Sequence, residues 1–344
     1  MRSLLKPAAG LTCLFALTMA GCSSAPEDTS KAPSPTGSPS PSVTSSAATA
    51  ATTYAPYVNA TAASANDTAG SPATYNLAFV ISDGSGCTPK WNGTHAIGDT
   101  SVASRVSALT KSGASVRVSF GGASGKELAA VCDSAAELAE AYGAALDAAG
   151  STRADFDVEG DDLADSGSVA LRSQAIALLQ KERTDLEVTF TLPVMPSGLD
   201  ADGLALLEAA NKYDVQVSTV NIMTMNYGES YTGDMGGYAI AAATAAHAQL
   251  KKALGTMDAA AWKGMALTSM IGVNDVADET FTLADAAQVR TFAEGKGVAW
   301  LSMWSAFRDR SCADGVAGQD EPLTDCSGVK QSSGAFAKAF SAAN

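Results

Sequence analysis

The chain has 344 residues, 46% of them hydrophobic, with 36 acidic against 22 basic side chains and a formal charge of −14. A surface this negative repels a phosphate backbone, which excludes nucleic acid as the natural partner. Two histidines, with cysteines spaced too widely for a zinc cluster, also exclude a His-rich centre, so no metal and no cofactor is expected.

In chain order, residues 1–21 read as an export signal. Arg2 and Lys6 precede an apolar run, Leu11 to Met19, that falls well short of the roughly 20 residues needed to cross hydrocarbon. Met19-Ala20-Gly21-Cys22 resembles a bacterial lipobox. That resemblance implies that Cys22 becomes the lipidated first residue of a cell-surface protein held to the membrane by its lipid anchor only. Plain secretion after cleavage nearby is the alternative. Losing Arg2 and Lys6 with the signal takes the charge to −16. Residues 22–53 are nearly all Ser, Pro, Ala and Thr, with no apolar face to offset the entropy of ordering, and read as a tether.

Residues 54–344 remain as the folded domain, expected as a monomer. Cys13 lies in the signal, which leaves Cys87, Cys132, Cys312 and Cys326 for the exported domain. Four cysteines allow three pairings, and an oxidising compartment favours two disulfides. Cys87 with Cys132 and Cys312 with Cys326 is the preferred pairing, because the second closes a short loop rich in Asp and Gly.

Short β-rich runs occur at Tyr54–Val58, Tyr75–Ile81, Ser115–Phe120, Ala154–Glu159, Leu186–Leu192, Val217–Met225, Gly264–Ile271 and Val298–Trp304. Ala-rich segments of helical length lie between most of them: Ser134–Ala149, Ser168–Lys181, Asp200–Lys212, Tyr238–Leu254 and Leu283–Glu294, with Val329–Ala342 closing the chain. The crossover after the first strand is the weak one. Eight β-α repeats, with neither a G-x-G-x-x-G nor a P-loop, predict an α/β fold that is a single (β/α)8 TIM barrel. Chemistry in such a barrel belongs at the C-terminal strand ends.

The fourth strand ends Asp155-Phe156-Asp157-Val158-Glu159-Gly160. Strand side chains alternate faces, so three carboxylates share one face while Phe156 and Val158 take the other. Like charges a few Å apart in a partly dehydrated site cannot all ionise cheaply, which makes the outermost, Glu159, the candidate proton donor.

These residues resemble glycoside hydrolase family 18, the chitinases and their relatives, whose fourth strand carries D-x-x-D-x-D-x-E. Asp155, Asp157 and Glu159 match the last three acidic positions, and Thr152 stands at the first. Ser119-Phe120-Gly121-Gly122 matches the family's S-x-G-G, Met225-Asn226-Tyr227 its M-x-Y, and Trp304 the tryptophan under the reacting sugar. Gly228 follows the tyrosine where many members carry Asp. The likeness spans residues 54–344.

The resemblance implies hydrolysis of β-1,4 bonds between N-acetylglucosamine units with retention, the substrate's own acetamido oxygen acting as nucleophile. Glu159 is then the general acid and base, Asp157 accepts the acetamido N–H and stabilises the oxazolinium ion, and Asp155 modulates Asp157. Tyr227 holds the acetamido oxygen. Trp304, Met225, Gly121, Gly122 and Met270 are expected at the substrate, in an amino-sugar polysaccharide or oligosaccharide. Residues 269–275 and Arg308-Asp309 are assigned no more than substrate contact. A lectin-like barrel that binds amino sugars without cleaving them, and an endo-β-N-acetylglucosaminidase acting on N-glycans, are the alternatives.

Overall fold

The computed structural model describes residues 52–313 and 325–341, all within the unit Ala48–Asn344. The signal, Cys22 and most of the tether lie outside the described residues.

Nine parallel segments make the main sheet: Thr53–Tyr54, Tyr57–Asn59, Thr74–Ser82, Ser115–Gly121, Arg153–Asp157, Glu187–Pro193, Val217–Met223, Met265–Met270 and Trp300–Trp304. From Thr74–Ser82 onward, each pairs in parallel with the next. The expected first strand is two short ones, split at Ala55-Pro56, where proline has no N–H to give a ladder. Its first half pairs with Trp300 and Leu301, its second half with Asn76, Leu77 and Ala78. Both ends of the sheet path are thus consecutive pieces of one stretch of chain. Two antiparallel strands, Pro89–Trp91 and His95–Ala96, extend from Thr74–Ser82.

Helices follow most strands. Ser134 caps Ala135–Ala149 and Gly150 ends it in the left-handed region, while Thr282 and Asp285 form a reciprocal capping box on Leu283–Lys296. Asp200 and Asp234 cap Ala201–Lys212 and Met235–Ala253 by accepting the Gly203 and Gly237 N–H. Thr100–Thr110 is a helix whose Ser- and Thr-rich sequence hides it, and the closing segment shortens to Ala335–Phe340, after Gly334 at φ 74°.

The helix-facing side of the strands is apolar. Phe156 stacks on Phe120 at 5.3 Å and lies 5.9 Å from Phe190, with Tyr142 from the helix 4.9 Å away. Burying an aromatic ring of this size is worth about 1.5–3 kcal/mol, and a one-residue slip would exchange it for a carboxylate. The packing of Phe156 therefore sets the direction in which Asp155 and Asp157 point.

The opposite side of the sheet is polar. Arg117 donates to Asn76 (2.6 Å) and lies over the ring of Trp300, and Asn76 reaches Ser302. Thr268 donates to Asn221 (2.9 Å), and Asn221 to Thr191 (2.9 Å). Trp300 and Ser302 face inward, as strand alternation requires. Both expected disulfides, Cys87–Cys132 and Cys312–Cys326, are present.

Candidate active site

The inward polar layer rises to Asp155, which is fully buried. Three hydroxyls donate to it: Ser119 (2.6 Å) and Tyr57 (2.8 Å) to Oδ2, and Thr191 (2.6 Å) to Oδ1. Burial nevertheless pushes its proton affinity up, outweighing these donors and the nearby Arg117 charge. Tyr57, buried beside two carboxyls, keeps its proton.

Two residues further along, Asp157 is 5% exposed, and no hydroxyl or amide donates to its Oδ1. Burial first, then the negative charges of Glu159 and Asp155, hold its proton affinity well above the usual carboxylate range. Its carboxyl hydrogen-bonds that of Glu159. Glu159 is raised as well, by burial and by Asp275, with the Asp157 hydrogen bond working against the rise. Two carboxyls this close in a buried site cannot both ionise cheaply. Glu159 sits at the start of the short helix Gly160–Ala164 yet makes no capping bond, and its side chain lines the cleft.

The cleft is a cavity of 510 Å³, a size typical of small-molecule sites. Asp157, Glu159, Met225 and Trp304 line it, as expected. Trp304 lies 5.5 Å from Phe79 in a stacked arrangement and 5.7 Å from Phe307, edge to face. Arg308 also reaches the wall, and its Nη2 donates to Val273 O (2.7 Å). Burial draws its guanidinium down to about 10, with Asp275 acting the other way.

Four expected residues are not on that wall. Gly121 and Gly122 adopt φ of 93° and 90° and serve close approach: a Cβ on Gly121 would lie 2.2 Å from Asp157 O, and one on Gly122 2.7 Å from the Phe79 ring. Without a Cβ they let the acidic strand and Phe79 pack. Met270 is buried, 1% exposed. Tyr227 is off the wall as well. Asn226 takes φ 53°, which breaks strand alternation, so Met225 and Asn226 both face the cleft while Tyr227 turns away against Tyr231 and Tyr238. Its hydroxyl is buried, approaching Thr224 too loosely for a full hydrogen bond. Glu279 holds this turn by accepting the Gly228 N–H at 2.8 Å.

Sequence reasoning missed Phe79, Asn92, Asn226 and Phe307. Phe79 enters the cleft because the pairing register shifts between Leu77 and Val80, placing both Ala78 and Phe79 on the wall. Asn92 and Asn226 come from loops, where no period applies, and Phe307 from the single 3-10 turn Ala306–Arg308. Trp91, near Cys87, is buried and donates to Ile97 O. His247 stacks on Trp262 at 3.9 Å, as a packing residue. Among the described residues no group of three or more His, Cys, Asp or Glu could hold a metal ion.

No family model matches the chain. It is 33% identical over 279 residues to the probable bifunctional chitinase/lysozyme of Escherichia coli (strain K12), covering 74% of this chain and 31% of that protein. To Endochitinase 11 of Metarhizium anisopliae it is 32% identical over 282 residues, covering 76% of this chain and 53% of that protein. The chain thus spans about a third and about half of these two relatives. Among solved structures, active domain 2 of the thermostable chitinase from Pyrococcus furiosus, in catalytic-site mutants complexed with chito-oligosaccharides, superposes with a TM-score of 0.73 at 30% identity. That match covers 85% of this chain and 94% of the other. A GH18 chitinase from Pseudoalteromonas aurantia shares the fold (TM-score 0.54, 13% identity, covering 74% and 94%).

Fold and site together are those of a chitinase-like domain. The chain belongs to the chitinase family.

Proposed function

We propose that this chain is a retaining hydrolase of β-1,4-linked N-acetylglucosamine chains, built on a single closed (β/α)8 barrel. The observation that carries the reading is the Asp157–Glu159 carboxyl pair, buried at the end of a strand beside an aromatic wall. The split first segment, which pairs with Trp300–Trp304 on one side and Thr74–Ser82 on the other, supports closure.

The chemistry follows from where the proton sits. With a sugar bound over Trp304, its acetamido N–H reaches Asp157, whose Oδ1 lacks a donor from the protein. That contact favours the Asp157 carboxylate, so the shared proton passes to Glu159 and from there to the glycosidic oxygen. As the C–O bond breaks, the acetamido oxygen bonds to the anomeric carbon and Asp157 faces the positive oxazolinium ion. Glu159, now a carboxylate, takes a proton from the attacking water, and ring opening restores the acetamido group. Asp155, held by three hydroxyls, fixes the charge beneath Asp157. Tyr227 takes no part, since it faces away.

The test is the anomer of the first product. Proton NMR early in chitohexaose digestion should show the new reducing end as β before mutarotation. An α product rejects substrate assistance, and no product rejects the hydrolase reading. We further propose that residues 1–21 direct export and that Cys22 carries the lipid. Cys22→Ser should move the protein from the membrane fraction to the medium, and a variant that stays membrane-bound rejects the anchor.

A further inference from the structure

A buried arginine takes no part in the chemistry described so far. Arg117 stands on the strand Ser115–Gly121, and its side chain lies on the polar side of the sheet with 5% exposure. Its Nη1 donates to Asn76 Oδ1 at 2.6 Å, and its guanidinium carbon sits 4.6 Å from the centre of the Trp300 ring. Nε has no partner. Asn76 is neutral and its amide is fixed by donation to Ala55 O (2.8 Å), so the bond to it leaves the positive charge in place. Among the described residues no carboxylate lies within salt-bridge distance of Arg117. A buried cation without a paired anion is costly to keep, and an apolar side chain of the same length would fill the space without that cost.

The position of the charge gives it a use. Ser119, two residues further along the strand, pairs in register with Asp155 and donates to its Oδ2. Arg117 therefore lies one layer below Asp155, a rise of about 7 Å along a strand. Asp157 pairs with Gly121 a layer higher, and Glu159 follows past the strand's end. The other titratable groups facing Arg117 are Tyr57, which keeps its proton, and Arg153 with Glu187, which pair with each other at 3.0 Å. Tyr57 also faces Asp155, with Asp157 above. Arg117 thus brings an uncompensated positive charge to the foot of the acid ladder.

We infer that Arg117 is a positioning residue for the catalytic proton: its charge keeps Asp155 ionised, so that the proton of the three acids stays on Asp157 and Glu159 instead of sinking to Asp155. The role in catalysis rests on the hydrolase reading above; the placement of the charge does not. The three hydroxyls that donate to Asp155 act in the same direction, since each serves the carboxylate and not the acid. A proton lost to Asp155 would be out of reach of the glycosidic oxygen. It would also cancel one of the negative charges that hold the proton affinity of Asp157 high.

The pH profile of kcat/KM on chitohexaose tests this. Arg117→Met keeps the length and loses the charge, so Asp155 takes a proton more readily and the acid limb should move up by about one to two pH units, the effect of a unit charge about 7 Å away at an effective dielectric near 20. Arg117→Lys restores the charge and should return the limb to within about 0.5 unit of the unmutated protein. A role in packing alone would lower kcat or stability in both variants and leave the limb in place, and an unmoved limb in Arg117→Met overturns the inference. Carboxyl ¹³C NMR of the unmutated protein reads the same point whether or not that variant folds. Asp155 should be ionised at neutral pH and titrate below Asp157; a protonated Asp155 overturns the inference. Unmutated protein that never cleaves the oligosaccharide defeats the hydrolase reading, and the NMR titration then decides the placement of the charge by itself.

Discussion

The molecule buries two carboxylate sites that both border Gly121, and they are built on opposite terms. Glu127, 4% exposed, accepts from Arg172 Nη2 (2.8 Å), the Tyr142 hydroxyl (2.9 Å) and the Ala129 N–H (2.7 Å). A cation and two neutral donors meet that one acid. Asp157 and Glu159, by contrast, meet each other, with Asp155 below and Asp275 beside them, and no salt bridge reaches them among the described residues. Buried charge normally persists when it is paired. Where it is left facing like charge, its proton affinity rises and the site can carry a proton at neutral pH, at a cost in stability. The first cluster is a structural joint between helix and loop; on the function proposed above, the second stores a proton.

The comparison breaks most sharply at Glu159. Glu159→Gln keeps the shape and removes the transferable proton, so kcat on chitooligosaccharides should fall by about three to four orders of magnitude, the upper scale for a positioned acid-base group. Binding, read by titration calorimetry, should persist. A variant that retains even a tenth of wild-type kcat would show that the proton comes from elsewhere.

Arg172→Ala acts on the other cluster. It leaves Glu127 buried without its cation, and chemical denaturation should report a loss of about 3–5 kcal/mol. A change below 1 kcal/mol would mean that water enters and replaces the guanidinium.

Asp157→Asn separates the two kinds of acid in one protein. Activity should fall at least about a hundredfold, while Tm at neutral pH should rise by roughly 2 °C or more. The sign follows from linkage. The folded proton affinity of Asp157 lies above that of the unfolded chain. No penalty therefore exists well below pH about 4, where both forms are protonated. As pH climbs past the unfolded value, the unfolded chain releases its proton first and folding weakens until the folded value is passed. The gain in Tm should accordingly shrink on acidification toward pH about 4. A Tm that falls at neutral pH would place Asp157 with Glu127, as a satisfied structural acid.

How much of this was legible in the sequence depends on whether a period reached the residue. Strand alternation placed Asp155 and Asp157 on one face because Phe156 is locked among Phe120, Phe190 and Tyr142, whereas Glu159 lies past the strand's end, at the start of Gly160–Ala164. Alternation failed at the two places where the backbone breaks it, the register shift beside Phe79 and the left-handed Asn226. Gly121 and Gly122 carried a readable signal of close approach, yet nothing in one dimension says that the approaching groups are Asp157 O and Phe79 rather than a ligand. Asn92 arrives on an irregular segment, Phe307 on a 3-10 turn (Ala306–Arg308) too short to carry a period, and Tyr57 follows a proline that splits its strand. The disulfides were legible because loop closure is a matter of sequence distance, 45 residues for one and 14 for the other.

The smallest expected effect is the one that most sharpens the site's boundary. M-x-Y spacing makes Tyr227 a catalytic hydroxyl, whereas its ring packs on Tyr231 and Tyr238 and its oxygen is buried with little to bond. Removing a buried hydroxyl that lacks a good partner costs little and can stabilise. Tyr227→Phe should therefore change kcat by less than about twofold and leave stability within about 0.5 kcal/mol. Met225→Ala, on the cleft wall two residues earlier, should raise KM, because its side chain lines both the cleft and an adjoining cavity of 260 Å³. If Tyr227→Phe instead lost a hundredfold in kcat, the Asn226 turn would have to swing the tyrosine inward when substrate binds. The Gly228 N–H would then have to leave Glu279, a break that hydrogen exchange at Gly228 would detect.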